Sequence, residues 1–180
     1  MDSCLVGSEM CIRDSTKILN INIKKVINTT NKFKGLNYRQ QIIHKSKNLL
    51  IINDSKSTSF SSTVPLLEAY ENIHWIVGGQ AKKGDKFKLK RKYFSNIKAY
   101  IYGKNRNFLI NSLSNKIFYK SSLTLNEAIR NLNNNIKNDK QKKVILFSPC
   151  AASFDQFKNF EERGKFFNKN IQHIFKQNKI

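Results

Sequence analysis

Four short apolar runs, each closed by turn-forming residues, set the tightest limit on how this chain can fold. They are Leu49–Ile52, Ile73–Val77, Ile97–Tyr102 and Val144–Phe147. Each is long enough for a buried strand and too short for a free-standing helix. Asn53-Asp54, Gly78-Gly79, Gly103 and Ser148-Pro149 end them in turn. Ile117–Tyr119 reads as a shorter strand. Between the strands the spacing becomes helical. Ser61–Tyr70 predicts a helix in which Pro65 is tolerable only in the first turn. Leu125, Ile129, Leu132 and Ile136 share one helix face. Phe157, Phe160, Phe167, Ile171 and Ile174 mark a final amphipathic helix, despite Gly164 in its middle. Strand–helix alternation predicts an α/β fold, Rossmann-like, with a mostly parallel sheet and helices on both faces. Its crossovers should be right-handed.

The charge narrows the partners. Lys and Arg number 33 against 12 Asp and Glu, a formal net charge of +21. Such an excess attracts polyanions, nucleotides included. The lysines are spread among asparagines and isoleucines, however, and those three residues share A/T-rich codons. No Arg-rich block, zinc-finger spacing or aromatic–basic signature is present, so no specific nucleic acid is expected. No apolar run approaches the roughly 20 residues of a membrane helix, so no membrane partner is expected either. Cys4, Cys11 and Cys150 form no disulfide framework and no Cys-x-x-Cys pair. That usage suits a reducing, cytoplasmic setting.

In open α/β sheets ligands bind beyond the carboxyl ends of the strands. Three unusual segments would lie there: Asn53–Thr58, Gly78–Asp85 and Ser148–Phe157. Asp54 suits ribose hydroxyls and Lys56 suits a phosphate. Gly78-Gly79 lets the backbone approach a ligand closely, and Lys82 suits a carboxylate. Ala151–Asp155 is expected to open a helix whose free N–H groups favour an anion, with Ser153 adding a hydroxyl. Each has a plainer reading when taken singly. Asp54 or Ser55 serves equally as a turn cap, Lys82 as a solvated lysine, and Ser153 or Asp155 as a helix N-cap. Cys150 reads as a small buried residue, since no His is placed to activate it. His44, His74 and His173 have no metal-ligand spacing.

Together the segments resemble a family. Asn-Asp-Ser-Lys-Ser-Thr (53–58), Gly-Gly-Gln-Ala-Lys (78–82) and the long run Ser-Pro-Cys-Ala-Ala-Ser-Phe-Asp-Gln-Phe-Lys-Asn-Phe-Glu-Glu-Arg-Gly (148–164) are similar to the C-terminal domain of the Mur ligases. The branch resembled adds D-glutamate to UDP-N-acetylmuramoyl-L-alanine in peptidoglycan synthesis. Gly35–Arg39 resembles the junction that opens this domain, although Tyr38 stands where the family usually has His. The resemblance implies an ATP-dependent acid–amino-acid ligase with ATP and Mg2+ as cofactors and an acyl-phosphate intermediate. It implies ATP contacts at Arg39, Asp54 and Lys56. It implies D-glutamate contacts at Thr58, Lys82, Ser153, Phe154 and Phe160, the last through its backbone. Lys83 and Lys86 add charge beside Lys82. No residue is assigned a covalent or proton-transfer role, and no metal ligand is assigned.

The expected organisation has three segments. Residues 1–15 differ in composition from the rest of the chain and read as a non-native artefact. Residues 16–34 read as the tail of a central ATPase domain, and 35–180 as the Mur ligase C-terminal domain. No Gly-x-x-x-x-Gly-Lys-Ser/Thr loop is present. The chain is therefore expected to be a fragment, monomeric and inactive alone, with ATP and Mg2+ held mainly by missing polypeptide. Two rival readings are a non-enzymatic basic α/β module that binds nucleic acid and a fragment of a folylpolyglutamate synthase-like ligase. A single basic face would favour the first. The Asp54-Ser55-Lys56 loop and the 148–164 run argue against the second.

Overall fold

Strand alternation builds one six-stranded sheet within Leu36–Ile180. Its strands are β1 (Gln41–Lys45), β2 (Leu49–Asn53), β3 (Ile73–Gly78), β4 (Ile97–Tyr102), β5 (Phe118–Ser121) and β6 (Lys143–Phe147). They lie in the order β1-β2-β6-β3-β4-β5. β1 is antiparallel to β2, and the other pairings are parallel. The computed structural model describes residues 14–32, 35–82, 84–137, 139 and 141–178. The chain divides into two units, Met1–Gly35 and Leu36–Ile180. The first holds helix α1 (Ile23–Lys32), on which Ile23 and Ile27 are exposed. Residues 1–13, Phe33 and Lys83, on which some of the sequence expectations fall, lie outside the described residues.

The two-residue period of the strands sorts their side chains between two cores. Ile52, Trp75, Val77, Ala99, Ile101 and Leu146 pack on one face with α2 (Phe60–Ala69) and α3 (Arg106–Leu113). Ile51, Ile76, Tyr100, Tyr102, Ile145 and Phe147 pack on the other with α4 (Leu125–Ile136) and α5 (Phe160–Asn178). A slip of one residue in any central strand would exchange these sets, so the register is firmly specified. The connections from β2 to β5 run over the first face. The chain then returns through α4 on the second face to insert β6 between β2 and β3. Ligand crevices form where the direction of travel reverses, which here is around the carboxyl end of β6.

Several local expectations need correction. The apolar runs do not announce β1. It is an edge strand with only partial burial, and Ile42 is exposed. Nor do they announce α3, because only Leu109 and Leu113 are buried and no side chain caps its start. α2 begins at Phe60, capped by the Ser59 hydroxyl, so Pro65 stands in its second turn. The N–H that Pro65 lacks would have met the carbonyl of Ser61, on the exposed side of the helix. Ala151–Asp155 does not open α5. The helix starts at Phe160, after a turn in which Ser153 O accepts the amides of Gln156 and Phe157. Asn159 Oδ1 caps it by accepting the Glu162 amide at 2.7 Å. Neither Ser153 nor Asp155 is that cap, and Phe157 precedes the helix while packing on the second core.

Candidate functional site

The exit of β2 is fixed by buried hydrogen bonds. Asn53 donates through Nδ2 to Gly164 O (2.9 Å) and Asn168 Oδ1 (2.7 Å), while its Oδ1 accepts the Ser55 amide. Asp54, 6% exposed, accepts from Gln40 N–H on Oδ1 and from the Ser148 hydroxyl on Oδ2, both at 3.1 Å. Burial raises the Asp54 pKa above the usual carboxylate range. Those two hydrogen bonds and the nearby Arg39 charge partly oppose the shift. The hydroxyls continue from Ser148 to Thr63, and from Thr63 to Ser57 at 2.7 Å. Ser57 in turn meets Ser62 at 2.7 Å. Arg39, Gln40, Asp54, Lys56, Thr58 and Ser62 line one open pocket of about 420 Å³.

Sequence reasoning gives no role to Arg163, yet it ties the site together. It is 0% exposed. Its Nε donates to Ser55 Oγ (3.1 Å), Nη2 to Ser55 O (2.7 Å) and Nη1 to Ala151 O (2.9 Å). The loops after β2 and β6 thus share one guanidinium from the first turn of α5. Ser55 Oγ also donates to Phe160 O at 2.8 Å. The available signal is the Glu-Arg-Gly end of the 148–164 run. What the sequence hides is that Arg163 is satisfied by carbonyls and a hydroxyl rather than by a carboxylate.

The exits of β3 and β6 are joined by backbone. Gln80 N donates to Ala152 O at 2.8 Å, and Ala152 N returns to Gln80 O at 2.9 Å. Gly78 N donates to Pro149 O at 3.0 Å. Gly79, at φ +123°, leaves no room for a side chain, since a Cβ there would lie 2.4 Å from Ala152 O. The Asp155 carboxylate accepts the Lys104 amide at 3.1 Å and so draws in the β4 exit. Gln156 links the β5 exit to the start of α4 by donating to Leu123 O and accepting from Leu125 N.

The residues singled out from sequence therefore sit as follows. Arg39, Asp54, Lys56 and Thr58 share the pocket. Lys56 Nζ lies 4.2 Å from the centre of the half-buried Phe160 ring. Ser153 is 3% exposed and sits in the turn after β6. Phe154 beside it is 71% exposed. Lys82 is exposed just beyond the Gln80–Ala152 bridge. Tyr38 packs its ring on Gly164, where a Cβ would approach to 2.3 Å, and its carbonyl accepts the Lys56 amide. Gly164 is thus explained inside α5 by close approach. Cys150 is buried, and burial pushes its thiol pKa far up, away from nucleophilic use. His74 is buried against the Tyr100 hydroxyl (2.9 Å), with its pKa lowered to about 4, first by burial and then by Lys98 and Lys143. Among the described residues no His, Cys, Asp and Glu cluster could hold a metal ion. Asp54 is the single carboxylate lining the pocket, beside Arg39 and Lys56, and this donor set does not fit a resident Mg2+. No helix among the described residues is long and apolar enough to cross a membrane.

No family model matches the chain. Curated relatives do. The UDP-N-acetylmuramoylalanine--D-glutamate ligase of Wolbachia pipientis wMel is 35% identical over 158 residues, 88% of this chain and 31% of that protein. The ligase of the same name from Rickettsia conorii is 37% identical over 155 residues, 85% of this chain and 31% of its own length. That from Bartonella henselae is 39% identical over 136 residues, 75% of this chain and 29% of its own. A solved murein peptide ligase from Psychrobacter arcticus covers 77% of the chain at 11% identity, with a TM-score of 0.38 over 31% of its own length, too distant to carry an argument. The chain spans about a third of the length of the curated relatives it matches. Over that third, the chain is similar to these UDP-N-acetylmuramoylalanine--D-glutamate ligases.

Proposed function

We propose that this chain is the C-terminal portion of a ligase that joins D-glutamate to UDP-N-acetylmuramoyl-L-alanine at the expense of ATP. The observation that carries the reading is the junction of the three strand exits. Arg163 joins those of β2 and β6, the Gln80–Ala152 bridge joins those of β3 and β6, and Asp54 and Thr58 open into one pocket. Asp54 would accept from a ribose hydroxyl, with Arg39 beside it and Lys56 toward the phosphates. Thr58, Lys82 and Ser153 would hold the D-glutamate carboxylates, with Phe154 beside Ser153 and Phe160 acting through its backbone. The reaction is amide synthesis. The substrate carboxylate takes the terminal phosphoryl group of ATP with release of ADP, and the D-glutamate amine then attacks the acyl carbonyl, loses a proton and expels phosphate. These residues contribute by positioning and by charge stabilisation. The triphosphate, Mg2+ and the uridine group would be gripped by polypeptide outside this chain, so no step through the metal is assigned here. The proposed setting is a cytoplasmic monomer in which residues 16–34 close an ATPase domain and 35–180 form the next.

The test is amide-resolved NMR of the 180-residue chain. D-glutamate should shift Thr58, Lys82 and Ser153 together, and L-glutamate should do so far less. ATP should shift Arg39, Asp54 and Lys56. Lys82→Ala should weaken the D-glutamate response at least tenfold and leave the ATP response within about twofold. Equal losses for both ligands, or shifts scattered over all surface lysines, would refute the assignment.

A further inference from the structure

The basic charge of this chain is diffuse in sequence, but one stretch concentrates it in space. Lys86, Lys88, Lys90, Arg91 and Lys92 are all exposed, and no acid lies among them. The residues between the first three point inward. Phe87 is half-buried and packs on Phe60, Trp75 and Phe94, while Leu89 is buried in the first core. This in–out alternation sets Lys86, Lys88 and Lys90 about 7 Å apart on a backbone held down by its apolar neighbours. Lys116, from beyond α3, adds a further cation, its Nζ 6.0 Å from the Phe87 ring. The nearest acid in sequence, Asp85, is taken up by the Phe60 amide at the start of α2 (2.7 Å). Among the described residues none of these six cations has an ion-pair partner, and the ion pair present is Lys143 with Asp139. Six like charges beside the single acid Asp85 repel each other, and an anionic surface relieves that repulsion.

We propose that Lys86–Lys92 with Lys116 is a docking surface for an anionic lipid bilayer, engaged at the level of the headgroups. Side-chain chemistry favours lipid over nucleic acid. Of the aromatic neighbours, Phe87 and Phe94 stack with each other and Lys92 covers the Tyr93 ring, which leaves no free platform for bases. Five of the six cations are lysines, which serve as point charges toward a smeared anionic surface, whereas arginine suits bidentate recognition of single phosphates. No large exposed apolar residue lies within the stripe, so the contact is electrostatic, shallow and reversible by salt.

The experiment is co-sedimentation of the full 180-residue chain with vesicles of 30% phosphatidylglycerol and 70% phosphatidylethanolamine. Pure phosphatidylcholine vesicles and a 20-nucleotide RNA are run in parallel, from 50 to 500 mM salt. Two triple variants carry equal loss of charge. One is Lys86→Gln, Lys88→Gln, Lys90→Gln. The other is Lys45→Gln, Lys47→Gln, Lys137→Gln, at exposed sites outside the stripe. The stripe variant should lose about 100-fold in partition, near fivefold per charge. The control should lose less than about fivefold, and phosphatidylcholine should bind neither. Circular dichroism establishes that both variants stay folded. Equal losses in the two variants would overturn the proposal in favour of diffuse attraction. Tighter, stripe-dependent binding of the RNA would overturn it in favour of nucleic acid.

Discussion

The exits of β2 and β6 and the exit of β3 solve opposite problems with similar residues. At β2 and β6 the polar groups themselves are buried and pinned: Asp54 by Gln40 and Ser148, and Arg163 by Ser55 and Ala151. Past β3, from Lys86 to Lys92, the apolar residues are pinned and the charges are left in water. The first arrangement fixes directions, as a site for a small ligand requires. The second fixes only where the charge stands. Substitutions at the first should therefore cost stability, and substitutions at the second should not.

The largest expected effect is Arg163→Ala. It empties a buried volume and strands two carbonyls, so unfolding in urea should show a loss of about 3–5 kcal/mol. Gly79→Ala forces a Cβ against Ala152 O at a left-handed φ and should cost about 2–4 kcal/mol by the same measurement. Ser148→Ala leaves Asp54 Oδ2 and Thr63 short of a partner and should cost about 1–2 kcal/mol. Asp54→Asn sharpens the comparison through pH. Folding raises the Asp54 pKa, so the native state binds this proton more readily than the unfolded chain does. That contribution is present in full below the unfolded pKa and fades as pH rises through the folded value. The Asn variant should thus gain on the wild type between pH 4 and pH 7 in paired denaturation curves. A constant difference across that range would mean that burial does not perturb Asp54. The smallest effect belongs to Lys86→Gln, Lys88→Gln, Lys90→Gln, whose melting curve should move by no more than about 0.5 kcal/mol.

The same contrast explains what the sequence discloses. β2, β3, β4 and β6 are buried on both faces, so their apolar runs stand out in one dimension. The edge strand β1 and the helix α3 bury only a fraction of themselves, and their patterns fade accordingly. The three segments at the site are visible as unusual composition, and the pocket does gather Arg39, Asp54, Lys56 and Thr58. The tying role of Arg163 is hidden because its partners are groups more than a hundred residues away at Ser55 and twelve away at Ala151. The start of α5 is misplaced by sequence reasoning for a related reason. The segment from Ala151 to Gln156 is held by tertiary bonds to Gln80, Lys104 and Leu123, which local propensity does not register.

The reciprocal amide bonds between Gln80 and Ala152 also bear on timing. A ligand entering between these segments cannot displace either strand of the bridge without releasing its neighbour, so both should breathe on a common clock. Deuterium uptake at the two amides would then follow a single opening rate, slowed together by anything that binds beneath them.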